Sequence, residues 1–223
     1  MQNQIYKYSL KLTKQGALKY ISHLDWQGLI LKIFRRLKIK LVLSNGFNKM
    51  PKVAYSPALP LFVESLCEVI IFQTYDKLDD DFRENFKKNS PKGLEIVDFQ
   101  ELKEQNFKSL ENYIQWAKYE AMLKNDIYNY ENVGYIIEKC LSSDNFEITK
   151  KTKKGITKQI NYRNSIHSVE YDKEGKLSFI LKAGANENIP ALRACDFIEK
   201  LFEGQTLNII RTEFLDENFR KIF

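Results

Sequence analysis

Apolar and polar side chains alternate through residues 5–13, IYKYSLKLT, the period of a strand with one buried face. Gln15-Gly16 then turns the chain. Ser22-His23-Leu24-Asp25 carries the signature of a helix start, a Ser N-cap with a carboxylate three residues on. Trp26, Leu29, Ile30, Ile33, Phe34 and Leu37 recur at helical spacing and predict a core face; Gly28, Lys32, Arg35 and Arg36 fall on the opposite, basic face. A short strand is predicted at 39–43, then a long polar loop, SNGFNKMPKVAYSPALP, and a strong strand near 65–74. Residues 79–89 predict a second helix entered through Asp79-Asp80-Asp81, whose charge suits a helix N-terminus. Pro91-Lys92-Gly93 breaks it, and 94–99 returns as a strand.

The second half repeats the rhythm. Residues 100–111 read as a polar helix or linker and 113–123 as a strand. Val133, Ile136, Ile137, Cys140 and Leu141 mark a helix, and 146–149 opens another strand. Lys153-Lys154-Gly155 predicts a hairpin turn inside a basic ribbon, 160–171 continues as strand, 172–175 turns, and 176–182 pairs back. Pro190 suits the first turn of a helix whose core face is Leu192, Cys195, Ile198 and Phe202, with Gly204 placed to end it; 207–214 is a last strand. Both halves read β-α-β-β-α-β. The expected fold is therefore α+β, two tandem ferredoxin-like sandwiches, with domains at 1–105 and 106–223 and the basic hairpin in the second.

Composition narrows the class without naming a function. The 223 residues are 43% hydrophobic, 29% charged and 13% aromatic, which excludes a disordered or low-complexity chain. No run approaches the roughly 18 apolar residues of a membrane span, and the N-terminal residues lack a signal-like apolar core. The expectation is a soluble, cytoplasmic protein without membrane contact. Cys67, Cys140 and Cys195 are too far apart for a zinc or cluster motif, and no CxxxCxxC, Walker loop, GxGxxG or GxSxG is present. Two histidines, His23 and His167, are too few for a histidine-based metal site. Neither metal nor cofactor is expected.

Charge is more informative. The net +6 divides unevenly: residues 1–63 hold 11 basic and 1 acidic residue, and 150–163 hold 6 basic and none acidic. The intervening 64–149 hold 10 basic and 18 acidic. Two separated cationic segments make a polyanion-binding surface if folding brings them to one face. In the first segment Lys32, Arg35, Arg36, Lys49 and Lys52 suit phosphate contacts, Asn48 polar contacts, and Phe47 is either a core plug or an exposed stacking ring. In the second, Lys151, Lys153, Lys154 and Lys158 line a ribbon that can follow a phosphate backbone, with Tyr162 as a stacking candidate. Arg163, set among apolar strand positions, needs a carboxylate, backbone carbonyl or phosphate as acceptor.

Two pieces look too specific for generic scaffold: GALKYISHLD at 16–25 and SNGFNKMPK at 44–52. Ser22 and Asp25 cap a helix. His23 in the first helical turn is a solvated residue or, as a neutral imidazole, a catalytic base. Gly46 is expected to supply a positive-φ turn position. Glu68 either forms a structural ion pair or orients His23.

These residues resemble the radical-SAM-linked proteins, a bacterial domain of unknown function found alone or fused behind a radical-SAM enzyme. The resemblance rests on Lys14, Gly16, Leu18, Tyr20, Ser22, His23, Leu24 and Asp25, then Arg35-Arg36, then Ser44, Gly46, Phe47, Asn48, Pro51 and Lys52. Leu59-Pro60-Leu61, Ser65 and Glu68 complete it. Lys49 stands where that family has Pro, Met50 where His is common, and Phe62 where Gly follows Leu61. Ile160-Asn161-Tyr162-Arg163 is similar to the family's D-x-R strand, and Ile189-Pro190 to its R-P helix start. The resemblance implies a partner or substrate-presenting role beside a radical-SAM enzyme, with structured RNA or a ribosomal component as partner. A metal-independent endoribonuclease, similar in outline to CRISPR repeat-processing enzymes and using His23 as base, is the enzymatic alternative. A protein-interaction adaptor is the third.

Overall fold

The computed structural model describes residues 4–103, 110–123, 130–151, 155–184, 188–203 and 206–222. The protein is α+β. Two compact units divide the chain, Met1–Tyr113 and Ile114–Ile222.

In the first unit the strands are β1 (Tyr6–Lys14), β2 (Val53–Tyr55), β3 (Val63–Thr74) and β4 (Ile96–Glu101), and the helices are α1 (His23–Arg36) and α2 (Phe82–Asn89). The sheet runs β4-β1-β3-β2, every pair antiparallel. Tyr8, Leu10 and Leu12 of β1 face Phe72, Ile70 and Glu68 of β3 across the ladder. Because side chains alternate along a strand, this set shares one face. Trp26, Ile30, Ile33 and Phe34 of α1, with Phe82 and Phe86 of α2, close over it to form the core. The rings of Phe34 and Phe72 meet at 4.6 Å between centroids. The helical periodicity of α1 was thus fully readable, and Lys32, Arg35 and Arg36 are exposed as that periodicity requires.

A helical turn, α3 (Leu110–Tyr113), closes the first unit; then follow β5 (Trp116–Leu123), α4 (Tyr130–Ser142), β6 (Glu147–Lys151), β7 (Thr157–Asn161), β8 (Ile166–Tyr171), β9 (Lys176–Lys182), α5 (Ala194–Phe202) and β10 (Thr206–Leu215). The four-stranded sheet runs β10-β5-β9-β8, again antiparallel throughout. Each unit therefore arranges its sheet in the same order by chain position: fourth, first, third, second. β6 and β7 pair only with each other, as a separate ribbon inserted between α4 and β8.

Several local expectations are corrected. Residues 39–43 form isolated bridges, Leu41 to Thr74 and Leu43 to Pro51, and not a strand. The second strand is Val53–Tyr55, inside the predicted loop; three residues between Pro51 and Pro57 are too few for alternation to show. Residue 113 ends a helical turn, and the strand starts at Trp116. The stretch 160–171 breaks at a 3-10 turn, Arg163–Ser165. Pro190 lies ahead of its helix, which begins at Ala194; its carbonyl instead accepts from Ser165 Oγ at 2.7 Å. Cys195 is only half-buried. Gly204 lies outside the described residues, and Glu203 takes the left-handed conformation (φ 50°) at the helix end.

One turn glycine fixes the β1–β4 geometry. Gly93 has φ +90°, and a Cβ there would sit 2.3 Å from the Gln15 carbonyl oxygen. The close approach lets Gln15 N–H and Thr13 Oγ1 both donate to the Gly93 carbonyl, at 3.0 and 2.9 Å. Gly93→Ala adds a disfavoured backbone conformation and a backbone clash, so it is expected to cost about 3 kcal/mol. Urea unfolding would measure this; an unchanged midpoint would show that the turn relaxes freely.

Candidate functional site

The start of α1 gathers most of the singled-out residues. Gly16 (φ +61°) turns the chain after β1, and its N–H donates to Glu64 Oε1 at 3.1 Å. Lys14 is buried, and its ammonium donates to the Ile21 carbonyl at 3.0 Å, holding the approach to the helix. Ser22 is the N-cap: Asp25 N–H donates to Ser22 Oγ at 3.1 Å, and Ser22 Oγ donates to Asp25 Oδ2 at 2.7 Å. Ser22 and Asp25 are therefore helix-starting residues.

His23 is half-buried in an aromatic corner. Its ring centroid lies 6.1 Å from Trp26 and 6.2 Å from Tyr55, which are 5.9 Å from each other. His23 Nε2 lies 2.8 Å from Gln27 Nε2. With the amide as donor, Nε2 is the acceptor and the proton sits on Nδ1. Trp26 Nε1 and the Tyr55 hydroxyl are buried without a hydrogen-bond partner among the described residues. Beside Tyr55, Ser56 Oγ accepts from Val69 N–H at 3.2 Å and donates to the buried Glu68 Oε2 at 3.3 Å. Glu68 thus engages β2's end. Buried Ser65 accepts from Cys67 N–H at 3.2 Å, within its own strand.

The 44–52 loop is a small arm. Ser44 N–H donates to the Met50 carbonyl at 2.8 Å, Met50 N–H returns to Ser44 Oγ at 3.1 Å, and Lys52 N–H donates to the Val42 carbonyl at 2.7 Å. Pro51 pairs with Leu43 at its base. Closure by Ser44 leaves Gly46 without the positive φ expected of it. Phe47 is fully exposed at the tip, so it is not a core plug; Asn48, Lys49 and Lys52 are exposed beside it. Phe62, the third departure from the resembled pattern, has φ +70°, which explains why Gly suits that position. Its N–H donates to the Lys19 carbonyl at 2.9 Å, and its ring meets Tyr20 edge-on at 5.8 Å.

In the second unit, Lys151 and Lys158 are exposed on the ribbon, while Lys153 and Lys154 lie outside the described residues. Tyr162 is corrected as a stacking ring: it is 3% exposed, and its face is covered by Lys150 Nζ at 4.8 Å from the centroid. Arg163 is likewise drawn inward. Its guanidinium donates to the carbonyls of Leu141 (2.7 Å), Ser143 (3.1 Å) and Ile166 (3.1 Å). Leu141 and Ser143 flank the C-terminus of α4, where orphan carbonyls and the helix dipole favour a cation. Asn161 Oδ1 accepts from Phe146 N–H at 2.9 Å and Arg163 N–H at 3.0 Å, tying the ribbon's base to the same helix end.

Sequence reasoning missed Tyr55, Lys14's burial, and the group of Lys150, Arg193 and Asp196. Asp196 accepts a two-point contact from Arg193 (2.8 and 2.6 Å) and lies 3.1 Å from Lys150 Nζ. Burial pushes its carboxyl up, but Arg193 and Lys150 outweigh that and hold it below the usual range. Arg193 and Asp196 are an i,i+3 pair, whereas Lys150 reaches Asp196 only through the fold. Among the described residues no group of three or more His, Cys, Asp or Glu is placed to hold a metal, and no helix is long and apolar enough to cross a membrane.

A family match covers most of the chain and stops short of Arg193 and Asp196. Residues 7–191 match the family described as "Uncharacterized protein conserved in bacteria (DUF2344)", and the chain belongs to it. No curated protein matches. Among solved structures, a chain of "Crystal Structure of a Cbf5-Nop10-Gar1 Complex" is similar with TM-score 0.46 and 11% identity, over 93% of this chain and 48% of that one. This chain thus spans about half the length of that solved chain, and a likeness so loose fixes neither fold nor function.

Substitutions at two positions check these assignments. Burial pushes the Tyr55 phenol from 10.0 up to about 12. The fold therefore favours the neutral phenol; that contribution is whole below pH 10 and is lost as pH rises through 12. Tyr55→Phe removes an unpartnered hydroxyl, so at pH 7 the variant should match the parent or gain up to about 1 kcal/mol, and it should lose less stability between pH 10 and 12. A large loss at pH 7 in urea melts would reveal a partner for the hydroxyl. Arg163→Ala should cost about 2 kcal/mol, with Arg163→Lys recovering little, because one ammonium cannot reach three diverging carbonyls. Amide exchange in the last turn of α4 reports this loss directly; protection equal to the parent's would refute the capping role.

Proposed function

We propose that this protein is an RNA-binding accessory that holds structured RNA, of tRNA or rRNA type, for a separate radical-SAM modification enzyme. The β6–β7 ribbon carries the reading. It stands off the four-stranded sheet; residues 150–163 contain no acidic side chain of their own, and Lys151 and Lys158 are exposed on it. Paired backbones make it stiff, so its exposed lysines bind a phosphate chain with less ordering cost than lysines on a free loop.

The arm at 44–52 adds a second element: a fully exposed Phe47 ring next to Asn48, Lys49 and Lys52. An aromatic with no core to fill, flanked by cations, suits stacking on an unpaired base. Lys32, Arg35 and Arg36 on the outer face of α1 extend the cationic surface of that unit. The sheet face away from α1 is less suited to RNA, since Ser9, Val69 and Ile71 on it are buried. The shared strand order of the two sheets supports classing both units as ferredoxin-like sandwiches. The radical-SAM partner rests on the resemblance at 14–25 and 44–52.

The geometry around His23 favours a positioning role over a nucleolytic one. Its ring is packed between Trp26 and Tyr55, and Nε2 is engaged by Gln27.

Anisotropy titrations with bulk tRNA should give affinity that falls steeply between 50 and 200 mM salt. Lys151→Ala with Lys158→Ala should reduce the slope of log K against log salt by about 1.5. Phe47→Ala should lower affinity about tenfold while leaving that slope unchanged. Absence of binding at low salt would end the proposal.

A further inference from the structure

We propose that the cleft between β6 and the start of α5 is a subsite for a terminal phosphate monoester, the phosphorylated end of an RNA strand. The inference rests on the RNA-binding reading above and specifies what this part of the second unit recognises.

The cleft has a volume of about 490 Å³ and is open to solvent. Ile148, Thr149, Lys150 and Lys151 line it from the ribbon, and Arg193 and Asp196 from the α5 side. It holds three cations and one carboxylate, a net charge of +2. That excess does not favour a cation or an acidic-to-basic protein contact in which Asp196 is the recognition group. Asp196 is turned inward, with 14% of its side chain exposed, whereas Arg193 is 63% exposed. The carboxylate spends itself on Arg193 and Lys150: two parallel contacts to the guanidinium and one to the ammonium. Its effect is to hold both cations in place. Two of the five guanidinium donor hydrogens are used on Asp196, so the fork retains donor capacity toward the cleft. Lys150 is steadied further by the face of Tyr162.

A pre-set Arg fork beside the Lys150 ammonium, with Lys151 at the rim, suits tetrahedral oxyanions, which accept two parallel hydrogen bonds from one guanidinium. The charge balance selects among phosphates. A monoester carries about −1.5 to −2 at pH 7 and neutralises the cleft. An internal phosphodiester carries a single negative charge and leaves it half compensated. Thr149 and the ribbon backbone offer neutral contacts at the same wall. The site would thus mark one strand end, while the exposed cations of the 44–52 arm contact the strand elsewhere.

The experiment compares one RNA hairpin in four forms, with a 5′-phosphate, a 5′-hydroxyl, a 3′-phosphate or a 3′-hydroxyl, by anisotropy against the full-length chain. One phosphorylated end is expected to bind about tenfold more tightly than its hydroxyl counterpart. Arg193→Gln and Lys150→Gln should each abolish that preference while retaining binding of the hydroxyl forms. Lys49→Gln, on the exposed 44–52 arm, should weaken all four forms alike. Circular dichroism confirms that the variants fold; should Lys150→Gln not fold, Arg193→Gln alone carries the comparison. Equal binding of phosphorylated and hydroxyl ends overturns the proposal and leaves the RNA-binding reading standing. If no form binds, the RNA-binding reading has failed, and titration with inorganic phosphate decides the site. Shifts of the Arg193 side-chain resonance in the parent that are lost in Lys150→Gln would then show a site for a free phosphate compound, and no shift in the parent would overturn it.

Discussion

Packing of the apolar stripe of α1 onto the β1–β3 pair is the constraint on which the first unit depends. Trp26, Ile30, Ile33 and Phe34 must meet Leu10, Leu12, Ile70 and Phe72. Once that seam is set, the phase of the helix is fixed, and Lys32, Arg35 and Arg36 have only solvent to face. The same seam fixes where the helix must begin. The residues that looked like candidate chemistry in GALKYISHLD then find employment at that beginning. Ser22 Oγ caps the Asp25 N–H and is itself held by the Asp25 carboxylate, and buried Lys14 steadies the carbonyl of Ile21. His23 seals the open corner between Trp26 and Tyr55. A dense motif here reflects the demands of starting a helix over a bulged strand end, where β1 and β3 shift register between Leu12 and Lys14.

The second unit solves a related problem at the other end of a helix. Its ribbon is an insertion with no layer of its own, so its base needs an anchor. Asn161 and Arg163 provide it by binding the backbone at the end of α4. An arginine among apolar strand residues looked like a ligand-binding cation; its acceptors are main-chain carbonyls. The cations of the protein thus fall into two groups. Lys14, Lys182, Arg163 and Arg211 are buried or half-buried and serve the fold. Lys182, for example, reaches Gln115 Oε1 beneath the face of Trp116, and burial lowers its pKa. The exposed cations include those on α1's outer face, the 44–52 arm and the ribbon, where no partner of the fold claims them in the way main-chain carbonyls claim Arg163.

Legibility differed by the kind of signal involved. Long periodic elements declared themselves: β1 by alternation, α1 by its stripe and cap, β3 by a continuous apolar run that suits a strand buried on both sides. Elements held by partners did not. β2 is three residues long and exists because the edge of β3 accepts it. The break at Arg163–Ser165 follows from that arginine's turn toward α4, which no local propensity announces. Lys150 and Asp196 are 46 positions apart in the numbering and meet only through the placement of the ribbon against α5.

The amino-acid sequence by itself determined the α+β alternation, the stripe and start of α1, the strongly basic ribbon and membership of an uncharacterized bacterial family, because each is written in local periodicity or in contiguous residues. Tertiary structure alone decided the order of strands in each sheet and the fate of individual polar groups. Whether a lysine, arginine or tyrosine is spent inside or left to a ligand depends on which distant backbone or carboxylate lies within hydrogen-bonding reach. That distance is a property of the folded chain.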